Sequence, residues 1–255
     1  MKDVSAAVVQ PDFEKYASDA MHIDFEIDFT DAFRSSATRT SGWFIDVGAG
    51  DGAVLQSAFE QKLIGHFDRV TAFDVSDVRI ARLRNRNLAC EADVVAADGL
   101  PLPDASIDYA LSHQVIEHVP DDEAFVAEIA RVLKPGAYAF VTSVSKRWYG
   151  WYFYRCNGKF RLDPTHVREY ESLEAFRRLF DKSGFEVVSA VERRLGHPIR
   201  YLVVLVLSRL RLYSLAGATT FVNNSPLLRH IGRFEIPIPG YRYVEVLARK
   251  SVARS

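Results

Sequence analysis

Residues Trp43 to Ala53 read W-F-I-D-V-G-A-G-D-G-A, and the organisation of the chain follows from this stretch. Phe44, Ile45 and Val47 make an apolar strand, and Gly48, Gly50 and Gly52 make a turn. Glycine belongs where a chain must take positive φ or where a ligand approaches the backbone closely. A strand that ends in such a turn and opens a helix is the arrangement that holds a nucleoside or dinucleotide in βαβ units. The helix is supplied by Val54, Leu55, Ala58, Phe59 and Leu63, which recur at helical spacing. The spacing is G-x-G-x-G rather than G-x-G-x-x-G, and on its own it also fits a tight strand–helix connection with no ligand.

The following units narrow the reading. Val70 to Asp74 (V-T-A-F-D) is a second strand ending in an acid, about twenty residues past the turn, where a carboxylate can accept from both hydroxyls of a ribose. Ser76 or Asp77 can cap the helix over Arg79 to Leu88, which leaves Asp74 for the ribose; its charge disfavours a 2′-phosphate. Val94, Val95 and Ala96 form a third strand with Asp98 and Gly99 at its end, and a fourth ends near Ser112 with His113 and Gln114 beyond it. In an open parallel sheet the carboxyl ends of the strands line one crevice, so this serial placement of polar residues is the strongest local signal. A helix from Asp122 turns Phe125, Ile129, Val132 and Leu133 inward and stops at Lys134-Pro135-Gly136, before a fifth strand over Ala137 to Val144.

Ahead of Trp43, Met21, Ile23, Phe25, Ile27 and Phe29 alternate with polar residues, the pattern of a half-buried strand, and Thr30 or Asp31 can cap a helix. Tyr16 belongs to a segment that can cover the pocket or remain an exposed terminal helix. The net charge of −1 offers no global attraction for nucleic acid, so none is expected as a partner. Two separated cysteines, Cys90 and Cys156, indicate a reduced, cytoplasmic setting without a disulfide frame or cysteine zinc site. The first residues lack the apolar core of a signal peptide, and no run reaches the about 18 apolar residues of a membrane span.

The series F-I-D-V-G-A-G-D-G, A-F-D-V-S, A-A-D-G-L-P-L-P-D-A-S-I-D, V-I-E-H-V-P-D and R-V-L-K-P-G-A-Y resembles class I S-adenosylmethionine-dependent methyltransferases, in particular the group acting on small molecules and lipids. The likeness covers Trp43 to Val144 and continues more weakly to Val191; T-H-V-R-E-Y, Thr165 to Tyr170, is similar to a segment of that group. It implies an α/β fold: a doubly wound, mostly parallel seven-stranded Rossmann-like sheet with the last strand antiparallel beside the fifth, and an insertion before it. The expected division is a cover segment (1–42), a cofactor core (43–191), an insertion or lid (192–242) and the last strand (243–249). The implied cofactor is S-adenosyl-L-methionine. Asp46, Gly48, Ala49 and Gly50 would hold its methionine part, and Asp74 its ribose, with Val75 beside the adenine. Asp98 and Gly99 would meet the adenine edge, and His113 and Gln114 would lie next to the methionyl group. Glu117 and His118 match an element read as structural. Asp51 stands where Thr or Ser is frequent in the group.

Downstream, Trp148, Tyr149 and Trp151 belong to an aromatic, basic run that is either a packed cap or a wall around an acceptor. Tyr170 and Tyr149 are candidates to orient that acceptor. A hydroxyl acceptor needs a base titrating near neutrality, and His166 and His113 are the candidates, each equally able to be a hydrogen-bonded structural histidine. No cluster in the sequence demands a metal. A helix is expected over Leu173 to Lys182 and a strand over Phe185 to Val191. The insertion, about fifty residues and far longer than an ordinary loop, opens with H-P-I-R-Y-L-V-V-L-V-L-S-R-L-R-L-Y. A helix apolar nearly all round is normally a buried lid or dimer helix. The other reading is an interfacial helix, giving peripheral membrane contact through 199–215. The expected acceptor is a small, lipid-linked or glycosylated molecule, methylated at oxygen. The competing readings are a non-catalytic docking protein that keeps the fold and an NAD-dependent oxidoreductase, against which the motifs after Asp98 count.

Overall fold

The structure is a computed structural model, and it describes residues 27–95, 99–152, 154–156, 159–231 and 234–252. Tyr16, the alternating stretch up to Phe25 and Asp98 lie outside the described residues; of that stretch, 27–30 carries no strand.

The strands are β1 (Trp43–Val47), β2 (Arg69–Asp74), β3 (Glu91–Val94), β4 (Ile107–His113), β5 (Leu133–Lys146), β6 (Tyr154–Cys156), β7 (Lys159–Arg161), β8 (Phe185–Pro198) and β9 (Glu235–Lys250). Seven form one sheet in the order β3-β2-β1-β4-β5-β9-β8, and β6 and β7 form a separate hairpin. β3, β2, β1, β4 and β5 pair in parallel, and β9 runs antiparallel to both β5 and β8. This is the doubly wound sheet with an antiparallel last strand that the motif series implies. The order reverses between β1 and β4, which opens a ligand crevice at their carboxyl ends.

The helices are α1 (Asp31–Ala37), α2 (Ala53–Glu60), α3 (Asp77–Arg84), α4 (Asp122–Val132), α5 (Leu173–Lys182), α6 (Ile199–Arg209), α7 (Leu215–Asn224) and α8 (Pro226–Ile231). Local chemistry sets several starts: Ser76 Oγ accepts from Arg79 N, Asp121 Oδ1 from Ala124 N and Ser172 Oγ from Ala175 N, each satisfying an orphan amide of the first turn. Residues of β1 alternate between the two faces of the sheet. Ile45 and Val47 join a core with Val126, Ile129, Phe176 and Phe180 from α4 and α5, while Phe44 joins one with Phe33, Leu55 and Ile80 from α1, α2 and α3. Each such buried side chain contributes about 1.5–3 kcal/mol, and both faces are covered, as a parallel sheet requires. In α4 the inward residues are Val126, Ile129 and Val132, with Phe125 half-buried at the margin.

The last two strands run further than their hydrophobic patterns suggested. β8 continues to Pro198 and β9 begins at Glu235, with pairs Gly196↔Pro237, His197↔Ile236 and Pro198↔Glu235 beyond the reach of β5. Polar and glycine residues hide this ribbon from a period-two reading. α6, α7 and α8 close it, packing around Val204, Ala218 and Val222. Val206, Leu210, Leu212 and Tyr213 remain exposed on this unit, beside Arg209 and Arg211. Among the described residues no helix is long and apolar enough to cross a membrane.

Candidate cofactor and acceptor site

The glycine turn sits at the reversal point of the sheet. Gly48 has φ +82°, and a Cβ there would lie 2.3 Å from Val115 Cγ2, so both backbone and space exclude a side chain. Asp51 forms an ion pair with Arg86 at 3.5 Å, and the Arg86 Nε also donates to the Asp51 carbonyl, so the acid anchors the turn to the end of α3.

Asp46, on β1, is 1% exposed, and among the described residues neither of its carboxylate oxygens has a hydrogen-bond partner. Burial, with the charge of Asp74 adding to it, pushes its pKa from 3.8 up to about 8. A buried carboxylate left orphaned is costly, and a cationic ligand group resolves that cost. Asp74, at the end of β2, accepts from Gly50 N at 2.8 Å through Oδ2 and from Ser76 N at 2.9 Å through Oδ1. Two backbone amides thus fix the carboxylate against the glycine turn, and its remaining lone pairs can receive hydroxyls. Val75 beside it is 46% exposed. Val94, Val95, Gly99, Leu100 and Pro101 line a recess at the end of β3. Arg131 holds the floor of that loop through the carbonyls of Leu100 and Leu102. An orphan acid, a positioned acid and an apolar recess fit the ammonium, ribose and adenine of S-adenosylmethionine in turn.

At the end of β4, Gln114 takes φ +57°, unusual outside glycine and frequent at functional sites. Its N–H donates to Thr142 Oγ1 at 3.1 Å. His113 Nε2 is hydrogen-bonded to the Tyr243 hydroxyl from β9. Burial pushes His113 down to about 4, so the ring is neutral at pH 7, and burial raises the Tyr243 phenol as well. Nothing in the sequence marks Tyr243 as a partner of His113, since a strand pattern does not reveal which neighbour its residues meet.

The other histidine candidate occupies different surroundings. His166 is buried, and its Nδ1 lies 3.3 Å from Glu169 Oε1. Its ring stands edge-on to that of His118, centroids 4.8 Å apart. Glu117 is fully buried; Ser143 donates to its Oε2, and burial, partly offset by the charge of His166, pushes it up to about 7. The T-H-V-R-E-Y segment is stitched to the loop after β4: Val167 N and Arg168 N donate to the Glu117 carbonyl, and the Arg168 guanidinium reaches the carbonyls of Ile116, Val119 and Pro120. Tyr170 donates its hydroxyl to Asp122 at 2.8 Å and packs its ring on Phe176. That hydroxyl is engaged within the fold rather than offered to an acceptor.

The aromatic run divides. Trp148 is 95% exposed, and Tyr149 and Trp151 are about half-exposed, whereas Tyr152 is buried against Ile238 and Tyr241. The loop leans on the β9 ribbon: Arg147 N donates to Gly240 O and Trp151 N to Pro239 O. At Gly240, φ +74°, a Cβ would fall 2.4 Å from Gly150 Cα, so backbone meets backbone. Within the run Tyr152 is packed, and Trp148, Tyr149 and Trp151 form an open aromatic surface.

The fold and the geometry of the strand ends are those of a class I S-adenosylmethionine-dependent methyltransferase domain. The family described as "Methyltransferase domain" matches residues 45–141. The chain is 35% identical over 119 residues to a probable S-adenosylmethionine-dependent methyltransferase of Mycolicibacterium smegmatis, covering 47% of this chain and 44% of that protein. It is 27% identical over 154 residues to the ubiquinone biosynthesis O-methyltransferase of Bartonella tribocorum, covering 58% and 61% of the two chains. The chain thus spans less than two thirds of the length of these curated relatives. Among solved structures, the [4+2]-cyclase SpnF superposes with a TM-score of 0.61 at 23% identity, over 94% of this chain and 92% of that one. Haemonchus contortus phosphoethanolamine N-methyltransferase 2 superposes with a TM-score of 0.53 at 18% identity, over 84% and 49%. At such identities the superpositions bear on the fold alone.

Proposed function

We propose that the protein transfers the methyl group of S-adenosylmethionine to an oxygen of a small, amphipathic acceptor. The acceptor oxygen forms a bond to the methyl carbon as the carbon–sulfur bond breaks, and the bonding pair leaves with sulfur. The protein's task is then alignment of nucleophile and methyl group. Asp46, Gly48, Ala49 and Gly50 hold the amino-acid end of the cofactor, and Asp74 with Val75 the nucleoside.

The observation that carries the oxygen assignment is His113, a neutral imidazole at the end of β4, one strand from the glycine turn. Its pKa is lower than the near-neutral value expected of a base, but the ring is unprotonated at pH 7 and can accept the acceptor's proton as the oxygen–methyl bond forms and the O–H becomes strongly acidic. Tyr243 holds the ring in orientation. His113→Ala is expected to lower kcat about 100-fold while S-adenosylhomocysteine affinity stays within about threefold, read by product mass spectrometry and calorimetry. Undiminished kcat would remove His113 from the chemistry.

The amphipathic character of the acceptor is supported by the exposed Trp148, Tyr149 and Trp151 in the loop after β5 and by the exposed Val206, Leu210, Leu212 and Tyr213 among arginines. Apolar side chains flanked by cations suit an anionic lipid surface, so we place peripheral membrane contact there. Sedimentation with vesicles containing anionic phospholipid should pull down the full chain, and replacing Val206, Leu210 and Leu212 with serine should release it. Equal sedimentation of both proteins, or of neither, would refute the contact.

A further inference from the structure

We infer that Glu117, His118 and His166 form a binding site for one divalent transition-metal ion of the zinc type. One ligand atom from each of these residues lies within 4.8 Å of the others. Two come from the loop after β4 and one from the segment before α5, so only the fold brings them together.

The hydrogen bonds around the cluster fix which atoms face it. Thr165 donates its hydroxyl proton to Asp163 Oδ1 at 2.6 Å, so its Oγ1 accepts from His118 Nδ1, 2.9 Å away. His118 therefore carries its proton on Nδ1, and Nε2 holds the lone pair. His166 presents Nδ1 to Glu169 Oε1, which as a carboxylate oxygen only accepts, so in the neutral ring Nε2 holds the lone pair, and a metal ion would displace the second proton of the charged ring. Glu117 Oε1 is buried with no hydrogen-bond partner among the described residues, while Oε2 is engaged by Ser143. Three electron-pair donors thus converge, one of them an orphaned carboxylate oxygen that the fold would otherwise hold at a cost.

Imidazole rings held through Nδ1 by a hydroxyl or a carboxylate are the usual outer partners of metal-ligating histidine. Two imidazoles and one carboxylate suit zinc or its neighbours and not magnesium or calcium, which need oxygen ligands throughout. Three protein ligands leave one position of a tetrahedral ion for a fourth group. A bound ion would cross-link the loop carrying Gln114 to the segment carrying Glu169 and Tyr170. This inference rests on the cluster alone and stands whether or not the proposed acceptor chemistry is right.

The test uses the full chain, free of any affinity tag and stripped with a chelator. Calorimetric titration with Zn²⁺ should give one ion per chain, and Co²⁺ should give the visible absorption of a four- or five-coordinate site. Glu117→Gln and His166→Ala should each abolish the cobalt spectrum. Thr165→Val, which touches only the outer partner, should weaken zinc binding about 10–100-fold. Cofactor binding measured on each metal-free variant checks that it folds, and Thr165→Val keeps the question open to decision where a ligand variant does not. The inference is overturned by a wild-type stoichiometry near zero, in which case the cluster shares only a proton, or by variants that bind as the wild type does.

Discussion

Asp74→Ala is expected to weaken S-adenosylhomocysteine binding about 100-fold or more. A hydrogen bond to a charged group contributes about 1.5–3 kcal/mol, and the Asp74 carboxylate is placed to receive two ribose hydroxyls. The same carboxylate accepts from Gly50 N and Ser76 N, so its removal also loosens the glycine turn. The two effects separate in measurement, since the loss of ordering lowers the melting temperature of the ligand-free protein while the loss of ribose contact appears only in Kd. Asp74→Asn keeps one acceptor but turns an amide group towards a backbone N–H, so it should fall between alanine and wild type. A Kd within about threefold of wild type in Asp74→Ala would sink the ribose assignment.

The second large effect is a dependence of stability on pH. The folded-state pKa of Asp46, about 8, lies far above its ordinary 3.8. The folded protein therefore binds the proton that the unfolded chain has released, and this contribution is lost as pH rises through about 8. Glu117 acts in the same direction but titrates at about 7. His113, His118 and His197, all pushed down to about 4, act oppositely, and their effect lies below about pH 6.5. Above that, the carboxylates dominate. Between about pH 6.5 and 8 the ligand-free protein should lose about 2 kcal/mol through Asp46, which for a chain of this size is about 5 °C in melting temperature. Asp46→Asn should flatten most of that slope, as should saturation with S-adenosylhomocysteine, whose ammonium would stabilise the ionised carboxylate. An unchanged slope in Asp46→Asn would place the titrating group elsewhere.

The cofactor half of the site was legible in the sequence because it is local. Asp46, Gly48 and Asp74 lie at strand ends, and strand ends are marked by hydrophobic runs and turn residues. The parallel sheet follows from the same alternation. The acceptor half was not legible, because it depends on which segments meet across the sheet. Tyr243 meets His113 across 130 residues, and His166 meets Glu117 and His118 across nearly fifty; the histidines were visible as candidates, but their partners were not. Tyr170 looked like an acceptor contact because a phenol in a family segment invites that reading, and Asp122 takes its hydroxyl instead. The full extents of β8 and β9 are hidden because the extra residues pair with each other beyond the reach of β5, where Gly196, Pro237, Pro239 and Gly240 interrupt the strand pattern.

The ribbon of β8 and β9 also bears on how such a chain can be rebuilt. The chain leaves the sheet at Pro198 and returns at Glu235, paired residues joined further by a bond from Ile199 N to Phe234 O. Everything between is hung from a doorway no wider than one strand pair. Closing that doorway costs the chain little whatever hangs there, since loop closure depends only weakly on the length enclosed. A different helical unit, or a short turn, can be grafted at that point without re-registering the strands that carry Asp46, Asp74 and His113. The unit between Pro198 and Glu235 is therefore mechanically separable from the strands that carry Asp46, Asp74 and His113, and each can be altered on its own.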